Sequence, residues 1–381
     1  MSIKKGQGKV GSLLASNRHL MLIVIIAVIG IIFQFTTKGM FLSSRNLGTL
    51  FLQFSVVGYL TIGVVFIMVT RGIDLSIASD IALIAAIGAV LNVDMGVNPV
   101  IVLLVMLIAA MLIAAVQGFF VAAVGIPAFV VTLAGQLTLR GVSLLVSNGE
   151  EHAPISSMLS SISTSWIPPA VSVAMILLTC AMIVLGTLLG NQKAKALGID
   201  VKAPAQITAS LLPVFLLVVL LVYVALFKGL PVMFALLMVW AAVAFALLEH
   251  TAFGRHVYAV GANPEAARLN GIDPRKILFA CFLMMGVSYF LGAAGSMSRI
   301  TGYSPSIATG IEMDAIASAV IGGTSLMGGY GTVFGAVLGA VLLSSIDNGM
   351  ILMNVSTYWQ YVVKGLILLA AVIIDIRTKR K

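Results

Sequence analysis

The chain is dominated by long apolar segments separated by short polar connections, and this pattern limits the fold more than any other feature. A helix needs about 20 mostly apolar residues to cross a bilayer, whereas a membrane β-barrel shows short alternating strands, which this sequence lacks. With 60% hydrophobic and only 9% charged residues, the composition lies outside the range of soluble proteins. We predict an all-α, polytopic transmembrane helical bundle that forms one domain over residues 1–381.

Two of the apolar segments are weaker than the others. Segment 126–146 contains Gln136 and Arg140, and segment 311–327 begins with acidic residues and ends in glycines. Each is therefore a candidate for a broken or re-entrant element, which a membrane tolerates only where protein or water satisfies the backbone. In all, the pattern predicts about twelve membrane segments, near residues 20–36, 50–70, 75–92, 99–124, 126–146, 168–190, 205–227, 230–249, 277–298, 311–327, 332–350 and 358–376.

The positions of the basic residues predict the orientation. With twelve crossings, the N-terminus, the 191–204 loop, the 250–276 loop and the C-terminus share one side and carry most of the 22 Lys and Arg residues. This side is predicted to be cytoplasmic. The same placement accounts for the formal net charge of +9 without a nucleic-acid partner. The first apolar segment follows a basic N-terminus but precedes no small-residue cleavage site, so it is interpreted as a retained span.

Residues 254–276 form a polar island between two apolar segments. Asn263 provides a capping oxygen, Pro264 fits a first helical turn, and Glu265 suits the positive end of a helix dipole. Gly271 is a stop signal, and Asp273 before Pro274 begins the next helix. The pattern predicts a short helix from about Pro264 to Asn270 at the membrane surface. Considered alone, the island is also compatible with a solvated connector that has a well-formed cap.

The run from Arg255 to Ile272 resembles the coupling loop of monosaccharide permeases of bacterial ATP-binding-cassette importers, of the ribose and xylose type. The resemblance covers most of the chain. Further matching segments are Gly72 to Ser76, Pro127 to Gly135, Met313 to Gly329, Asp347 to Met350 and Tyr358 to Gly365. Any one of them alone is weak, but their number and order make chance similarity improbable.

The resemblance implies a type II ABC-importer-like fold in the bacterial inner membrane, surrounded by lipid, with both termini cytoplasmic. It implies three protein partners: a cytoplasmic ATP-binding subunit, a periplasmic sugar-binding protein and a second copy of the chain. The implied substrate is a monosaccharide, with xylose first, because residues 168–229 are similar to an inserted helical pair of xylose permeases. Loop 254–276 is the implied ATPase-coupling loop, with contact residues Gly261, Asn263, Pro264, Glu265, Ala266, Ala267, Arg268 and Gly271.

Polar residues at membrane depth are candidates for a hydrated path. Gln136 and Arg140 are four residues apart and share a helical face. Bonding between neighbouring helices is an alternative for the two glutamines, and Arg140 is also placed to extend toward the surface. The candidate path residues are Gln117, Gln136, Arg140 and Asp347.

Other acidic residues have a structural interpretation first. Asp74, with help from Ser76, suits a cap for the third span, and Glu312 and Asp314 suit a helix N-terminus. Asp347 lies inside an apolar segment and needs a partner that the sequence does not identify. The outward loop Ser147 to Pro169 is open to two interpretations, as a docking site for a soluble receptor or as a polar linker.

No enzymatic constellation is recognisable. The histidines are not spaced like metal ligands, and the two cysteines lie singly in apolar segments. These residues are His19, His152, His250, His256, Cys180 and Cys281. The glycine-rich run Gly322 to Gly331 lacks the Lys-Ser/Thr pattern of a phosphate-binding loop, so ATP hydrolysis is expected on another polypeptide. We therefore expect no cofactor and no metal on this chain. The main alternative function is a stand-alone secondary sugar transporter.

Glycines after this run recur at a four-residue interval, at Gly331, Gly335 and Gly339. Small residues at this spacing allow two helices to approach closely. The stripe predicts a packing face, either within the chain or between two copies.

Overall fold

The computed structural model describes residues 18–178, 180–181, 218–219 and 221–379. Within these residues the chain is mostly helical, and its only strands are one antiparallel pair of two residues each, β1 (Trp166–Ile167) and β2 (Leu230–Pro231). The helices with complete bounds are α1 (Arg18–Thr36), α2 (Ser44–Val69), α3 (Ile77–Ala89, continued as a π-helical turn over Val90–Asp94), α4 (Pro99–Phe119, continued likewise over Phe120–Val124), α5 (Ala128–Val146), α6 (Ser157–Thr164), α7 (Val232–His250), α8 (Ala252–Ala262), α9 (Pro264–Leu269), α10 (Pro274–Arg299), α11 (Ile311–Ile321), α12 (Val333–Leu352) and α13 (Thr357–Lys379).

Eight helices of the described part are long and apolar enough to cross a membrane. They coincide with eight of the twelve predicted segments, which confirms a multi-pass helical membrane protein, while the total of about twelve stays a prediction. Most of the inserted pair 168–229, the 191–204 loop and the basic residues nearest the two termini lie outside the described residues. The eight are His19–Thr36, Ser44–Val69, Ile77–Asp94, Pro99–Val124, Ala128–Val146, Val232–His250, Pro274–Arg299 and Val333–Leu352.

The two weak segments differ in structure. Segment 126–146 is an unbroken helix, α5, of 19 residues. In contrast, α11 has only 11 residues, about 16 Å of helix, which is roughly half the thickness of a bilayer core. Segment 311–327 is therefore broken, as its acidic start and glycine-rich end indicated.

The centre of the bundle is α2, which packs against α7 and α10. An added Cβ at Gly63 of α2 would lie 2.4 Å from the Met285 sulfur of α10, so the two backbones are close. Trp240 of α7 donates its indole N–H to Ser288 Oγ of α10 at 3.0 Å. By contrast, α4 and α5 expose rows of large apolar side chains, which suit lipid or another apolar surface.

The glycine stripe packs within the chain. An added Cβ at Gly335 would lie 2.1 Å from the carbonyl oxygen of Gly322, and one at Gly339 would lie 1.9 Å from that of Ser318. Both carbonyls belong to the end of α11. The predicted packing face is thus confirmed for α12, and its partner is the short helix α11.

Candidate functional site

The polar island folds as the cap signals indicate. The Asn263 side-chain oxygen accepts hydrogen bonds from the backbone N–H of Glu265 at 3.0 Å and of Ala266 at 3.1 Å. Pro264 occupies the first turn of α9. The chain then turns at Gly271, which has a φ of +81°. The predicted short helix is confirmed, and it ends one residue earlier than expected.

A second helix, α8, precedes α9 and was not predicted. The Thr251 side chain caps it by accepting from the Gly254 N–H at 3.3 Å. Val257 and Val260 of α8 are buried against the membrane helices. A Thr cap followed by apolar residues at helical spacing was the available signal.

The surface of α9 faces away from the protein. The side chains of Glu265 and Arg268 are well exposed, with carboxylate and guanidinium 3.9 Å apart. Leu269 is 85% exposed, which is unusual for a large apolar side chain, whereas Ala267 is buried beneath them. This face therefore combines an apolar residue with both charges, a composition that suits a protein partner.

Arg71, at the end of α2, ties this surface to the membrane bundle. Its guanidinium donates to the carbonyl of Gly261 at 2.6 Å and also to the carbonyl of Ala262. An added Cβ at Gly261 would lie 1.9 Å from the Val69 carbonyl oxygen, so no larger residue fits there without a backbone shift. The end of α8 is thus fixed directly to the end of α2.

The glycine-rich turn between α11 and α12 joins the same junction. The Gly329 N–H donates to the Val69 carbonyl at 2.8 Å. Tyr258 of α8 donates its hydroxyl to the Gly331 carbonyl at 2.7 Å. Burial raises the pKa of Tyr258, which keeps this donor protonated. Gly328 and Gly329 have φ values of +80° and +75°, which only glycine adopts readily.

A buried polar network lies between α3, α4 and α10. Asp74 accepts from the Ser76 N–H at 2.9 Å and from the Ser76 hydroxyl at 2.7 Å, so it orders the residue just before α3, but Ser76 at the N-cap forms no side-chain cap. The Ser76 hydroxyl also lies 2.7 Å from Asp80 Oδ2. Tyr289 of α10 donates to the second oxygen of Asp74.

Gln117 completes this network. Its amide nitrogen donates to Ser76 at 2.9 Å and to Asp80 at 3.2 Å, and its oxygen lies 3.1 Å from the Tyr289 hydroxyl. With 4% exposure, the side chain is buried in this conformation. The geometry of Gln117 therefore favours the alternative of bonding between helices.

Gln136 and Arg140 lie on one face of α5, as predicted. The Gln136 side chain is half-buried, and its backbone carbonyl accepts from Ser79 Oγ at 2.7 Å. Arg140 donates to the carbonyls of Pro305 at 3.2 Å and Ile307 at 3.3 Å. Its guanidinium thus holds the segment between α10 and α11.

Asp347 has the partner that the sequence could not identify. Lys364 of α13 lies 2.8 Å from Asp347 of α12 and 2.9 Å from Asp314 of α11. Between 15% and 22% of each of these three side chains is exposed. We call these residues the ionic triad. The ionic triad connects the broken helix α11 to the two helices that follow it.

The four path candidates therefore occupy three different environments. Gln117 belongs to the buried network, Gln136 and Arg140 lie along α5, and Asp347 belongs to the ionic triad. Across the described ranges, no hydrogen bond or ion pair joins any two of the four.

His152 is held at the end of the bundle opposite α9. One ring nitrogen lies 2.9 Å from Asp94 Oδ2, and the other lies 3.0 Å from the Ser147 carbonyl oxygen. Both of these partners only accept hydrogen bonds, so the arrangement fits a histidine that is protonated on both nitrogens. The His152 and Tyr303 backbones also exchange hydrogen bonds of 3.1 and 2.9 Å. In the part of the chain that the structure covers, no group of His, Cys, Asp and Glu could hold a metal.

Comparison with known proteins identifies the family. A family model described as "Branched-chain amino acid transport system / permease component" matches residues 46–372. The chain belongs to this permease family.

Individual relatives are similar to this permease over nearly its whole length. It is 37% identical to the xylose transport system permease protein XylH of Escherichia coli K12, over 94% of this chain and 92% of that protein. Identity to the XylH protein of Haemophilus influenzae is also 37%, over 94% of this chain and 96% of that protein. The ribose import permease protein RbsC of Escherichia coli K12 is 30% identical over 93% of this chain and 91% of that protein. No solved structure matches the chain.

The names of these relatives describe permeases of transport systems, which are not enzymes, and this agrees with the prediction for this chain. The important contacts that sequence reasoning missed in this permease involve Arg71, Tyr289 and Lys364. Each is a single polar residue in or beside an apolar segment, a signal that marks a buried contact but not its partner.

His152 predicts a pH dependence of stability. Burial acts to lower the pKa of His152, but its hydrogen bond to the Ser147 carbonyl and the adjacent Asp94 outweigh burial, so the pKa lies above its ordinary value. Because the pKa is higher in the folded state, protonation of His152 stabilises the fold. This stabilisation is complete below the ordinary histidine pKa of about 6.5. The stabilisation is lost as the pH rises through the raised folded value.

The measurement is the Tm of purified protein in detergent between about pH 6 and pH 9, for wild type and His152→Gln. We expect the difference in Tm between the two proteins to shrink as the pH rises. A difference that stays constant over this range would contradict the assigned protonation.

Proposed function

We propose that the chain is the membrane-spanning subunit of an ATP-binding-cassette importer that carries a monosaccharide, with xylose first, across the inner membrane. The observation that carries this proposal is the surface of α9, an exposed capped helix fixed to the membrane bundle through Arg71 and Gly261. The similarity to xylose and ribose permeases over more than nine-tenths of the chain supports the same function. A separate ATPase subunit binds α9, and a sugar-binding protein delivers substrate at the other end.

The orientation follows from this assignment. The end of the bundle with α8, α9 and the turn 322–332 faces the cytoplasm, where ATP is available. The end with His152 and Tyr303 faces the periplasm. Both termini are cytoplasmic, and two copies of the chain enclose the path. The exposed apolar rows of α4 and α5 supply surface for lipid and for the second copy.

Transport proceeds by alternating access between two conformations. ATP binding brings the ATPase subunits together and moves α9, and a differential contact with each ATPase state shifts the permease between its conformations. The bonds of Arg71 to α8 carry the movement to α2, at the centre of the bundle. The bond between Gly329 and Val69 carries it to the turn before α12 and so to the broken helix α11.

The path residues are proposed with different roles. Gln136 and Arg140 lie on α5 beside the segment that leads into α11, so they are placed to meet substrate when this segment moves. Asp347 acts through the ionic triad, by holding α11 in position. Gln117 would meet substrate only if the buried network around it opened.

The first test is purification of the tagged protein from its native membrane in mild detergent. We expect a soluble ATPase to co-purify in a stoichiometric amount, and uptake by intact cells to stop when ATP is depleted. The stand-alone secondary transporter is the outcome that opposes this proposal. Intact permease that repeatedly purifies without an ATPase, with uptake that survives ATP depletion, would establish the secondary transporter instead.

The substrate is tested separately, by uptake of labelled xylose in cells that contain the complete system. We expect unlabelled xylose to compete best, followed by arabinose, ribose and glucose. Uptake of labelled leucine is measured for comparison, because the family description names branched-chain amino acids. Preferred transport of leucine would overturn the assignment to sugars.

A further inference from the structure

A cleft of about 570 Å³ opens at the end of the bundle opposite α9. It lies between the loop that contains Glu151 and the segment from Arg299 to Ile311. Its volume is within the range of pockets that bind small molecules.

The walls of the cleft are held in place by hydrogen bonds to neighbouring elements. The backbone pair of His152 and Tyr303 joins the two walls, and the Ile155 N–H donates to the Thr301 carbonyl at 3.0 Å. On the far side, Arg140 holds the carbonyls of Pro305 and Ile307. A cleft with walls fixed at several points keeps its shape without a ligand, which lowers the entropy cost of binding.

The lining contains one positive and one negative charge without partners. Arg299 and Glu151 are both exposed, and neither side chain forms a hydrogen bond or ion pair with the described residues. The hydroxyls of Ser304 and Ser306 lie 3.2 Å apart in the same lining. These groups together offer charged donors, charged acceptors and hydroxyls that act as either.

Ser296 and Tyr303 add two more hydroxyls, and most of the other lining residues are apolar, with Val56 and Ile307 among them. An anionic ligand would meet the Glu151 carboxylate, and a cationic ligand would meet the Arg299 guanidinium, so neither charge is favoured. A neutral ligand with many hydroxyls can satisfy both groups and place its C–H face on the apolar residues. A zwitterionic amino acid would also meet both charges, but it offers no further hydroxyls to Ser304 and Ser306. The similarity to xylose and ribose permeases favours the monosaccharide.

We propose that this cleft is a weak binding site for a neutral monosaccharide, which receives the sugar before it enters the membrane path. The site rests on the proposed function and adds to it a substrate contact on the permease itself. Arg299 donates to sugar oxygens, and Glu151 accepts from sugar hydroxyls. Weak binding suits the role, because a tight site would hold the sugar and slow its passage.

The test measures xylose binding to the permease–ATPase complex in lipid nanodiscs, without the soluble receptor, by saturation-transfer NMR. Saturable binding in the millimolar range is expected. Arg299→Gln and Glu151→Gln each remove one charged hydrogen-bonding group, which should weaken binding about tenfold or more. The matched controls are Arg45→Gln and Glu150→Gln, which change exposed residues outside the cleft lining and should leave binding unchanged.

Three outcomes would overturn the site. The first is absence of saturable binding to a complex that still supports receptor-driven uptake. The second is equal binding by the cleft variants and the controls. The third is loss of receptor association in the cleft variants with sugar binding intact, which would make the cleft a docking surface for protein. Each leaves the proposed importer function standing, whereas failure of the ATPase to associate would count against that function.

Discussion

Exchanging the two charges of α9, in the double variant Glu265→Arg, Arg268→Glu, is expected to abolish stable association with the ATPase subunit. The two side chains are exposed and make no ion pair except with each other, among the residues described. The exchange keeps an ion pair at the same spacing. It places the basic residue near the positive end of the helix dipole and the acidic residue near the negative end, which costs the helix only a few tenths of a kcal/mol. A partner surface that matches the original charges would instead face like charges, at a cost of several kcal/mol. We therefore expect the complex to be at least about a hundredfold weaker.

The measurement is recovery of the ATPase subunit with tagged permease, together with xylose uptake. Leu269→Ser is a second variant of the same surface, because an exposed leucine that fills a partner pocket contributes about 1.5–3 kcal/mol. Arg45→Glu is the matched control, since it reverses an exposed charge at the opposite end of the bundle. All variants should insert and purify like wild type. Full ATPase recovery with both α9 variants would show that another surface binds the partner.

The sequence was most informative where structure depends on neighbouring residues. The bounds of α9 were predicted to within one residue from Asn263, Pro264 and Gly271. This was possible because the residues that start and end a helix act within a single turn. The broken nature of segment 311–327 was also foreseen, since its acidic and glycine residues are local signals. Segment 126–146 was wrongly suspected for the same reason. It is an unbroken helix in which Arg140 bonds to a carbonyl of another segment and Ser79 donates to the Gln136 backbone carbonyl.

Contacts between distant residues were not predictable in the same way. Asp74 was identified as a local cap, but its contact with Tyr289 spans 215 positions and follows from the packing of α10. Arg71 reaches Gly261 across 190 positions. In a chain where nearly every segment is apolar, many pairings of helices bury similar surfaces, so hydrophobic pattern alone does not select among them. The single polar residues in these segments indicate that a partner exists, and only the fold determines which one.

The same reasoning makes Lys364 the residue whose loss should destabilise the bundle most. Its ammonium group lies 2.9 Å from Asp314 and 2.8 Å from Asp347, and all three side chains are largely buried. In Lys364→Met, two carboxylates would remain close together without a positive partner. Removing one member of a buried ionic group typically costs about 3–5 kcal/mol. We expect a clear loss of monodisperse protein and of Tm in detergent.

A triple variant separates charge from packing. In Lys364→Met, Asp314→Asn, Asp347→Asn the uncompensated charges are gone, and the two amides are much less costly to bury than two unpaired carboxylates. The triple variant should therefore recover most of the Tm that the single variant loses. Gln360→Met, one turn away on α13, is the control for placing a methionine there, because the Gln360 side chain donates to the nearby Val355 carbonyl and joins no ion pair within the described ranges. If the triple variant is stable but transports poorly, the ionic triad holds α11 in position for transport. If Lys364→Met alone is as stable as wild type, the three side chains do not form the buried ionic contact, and α11 must be held by the glycine packing of α12.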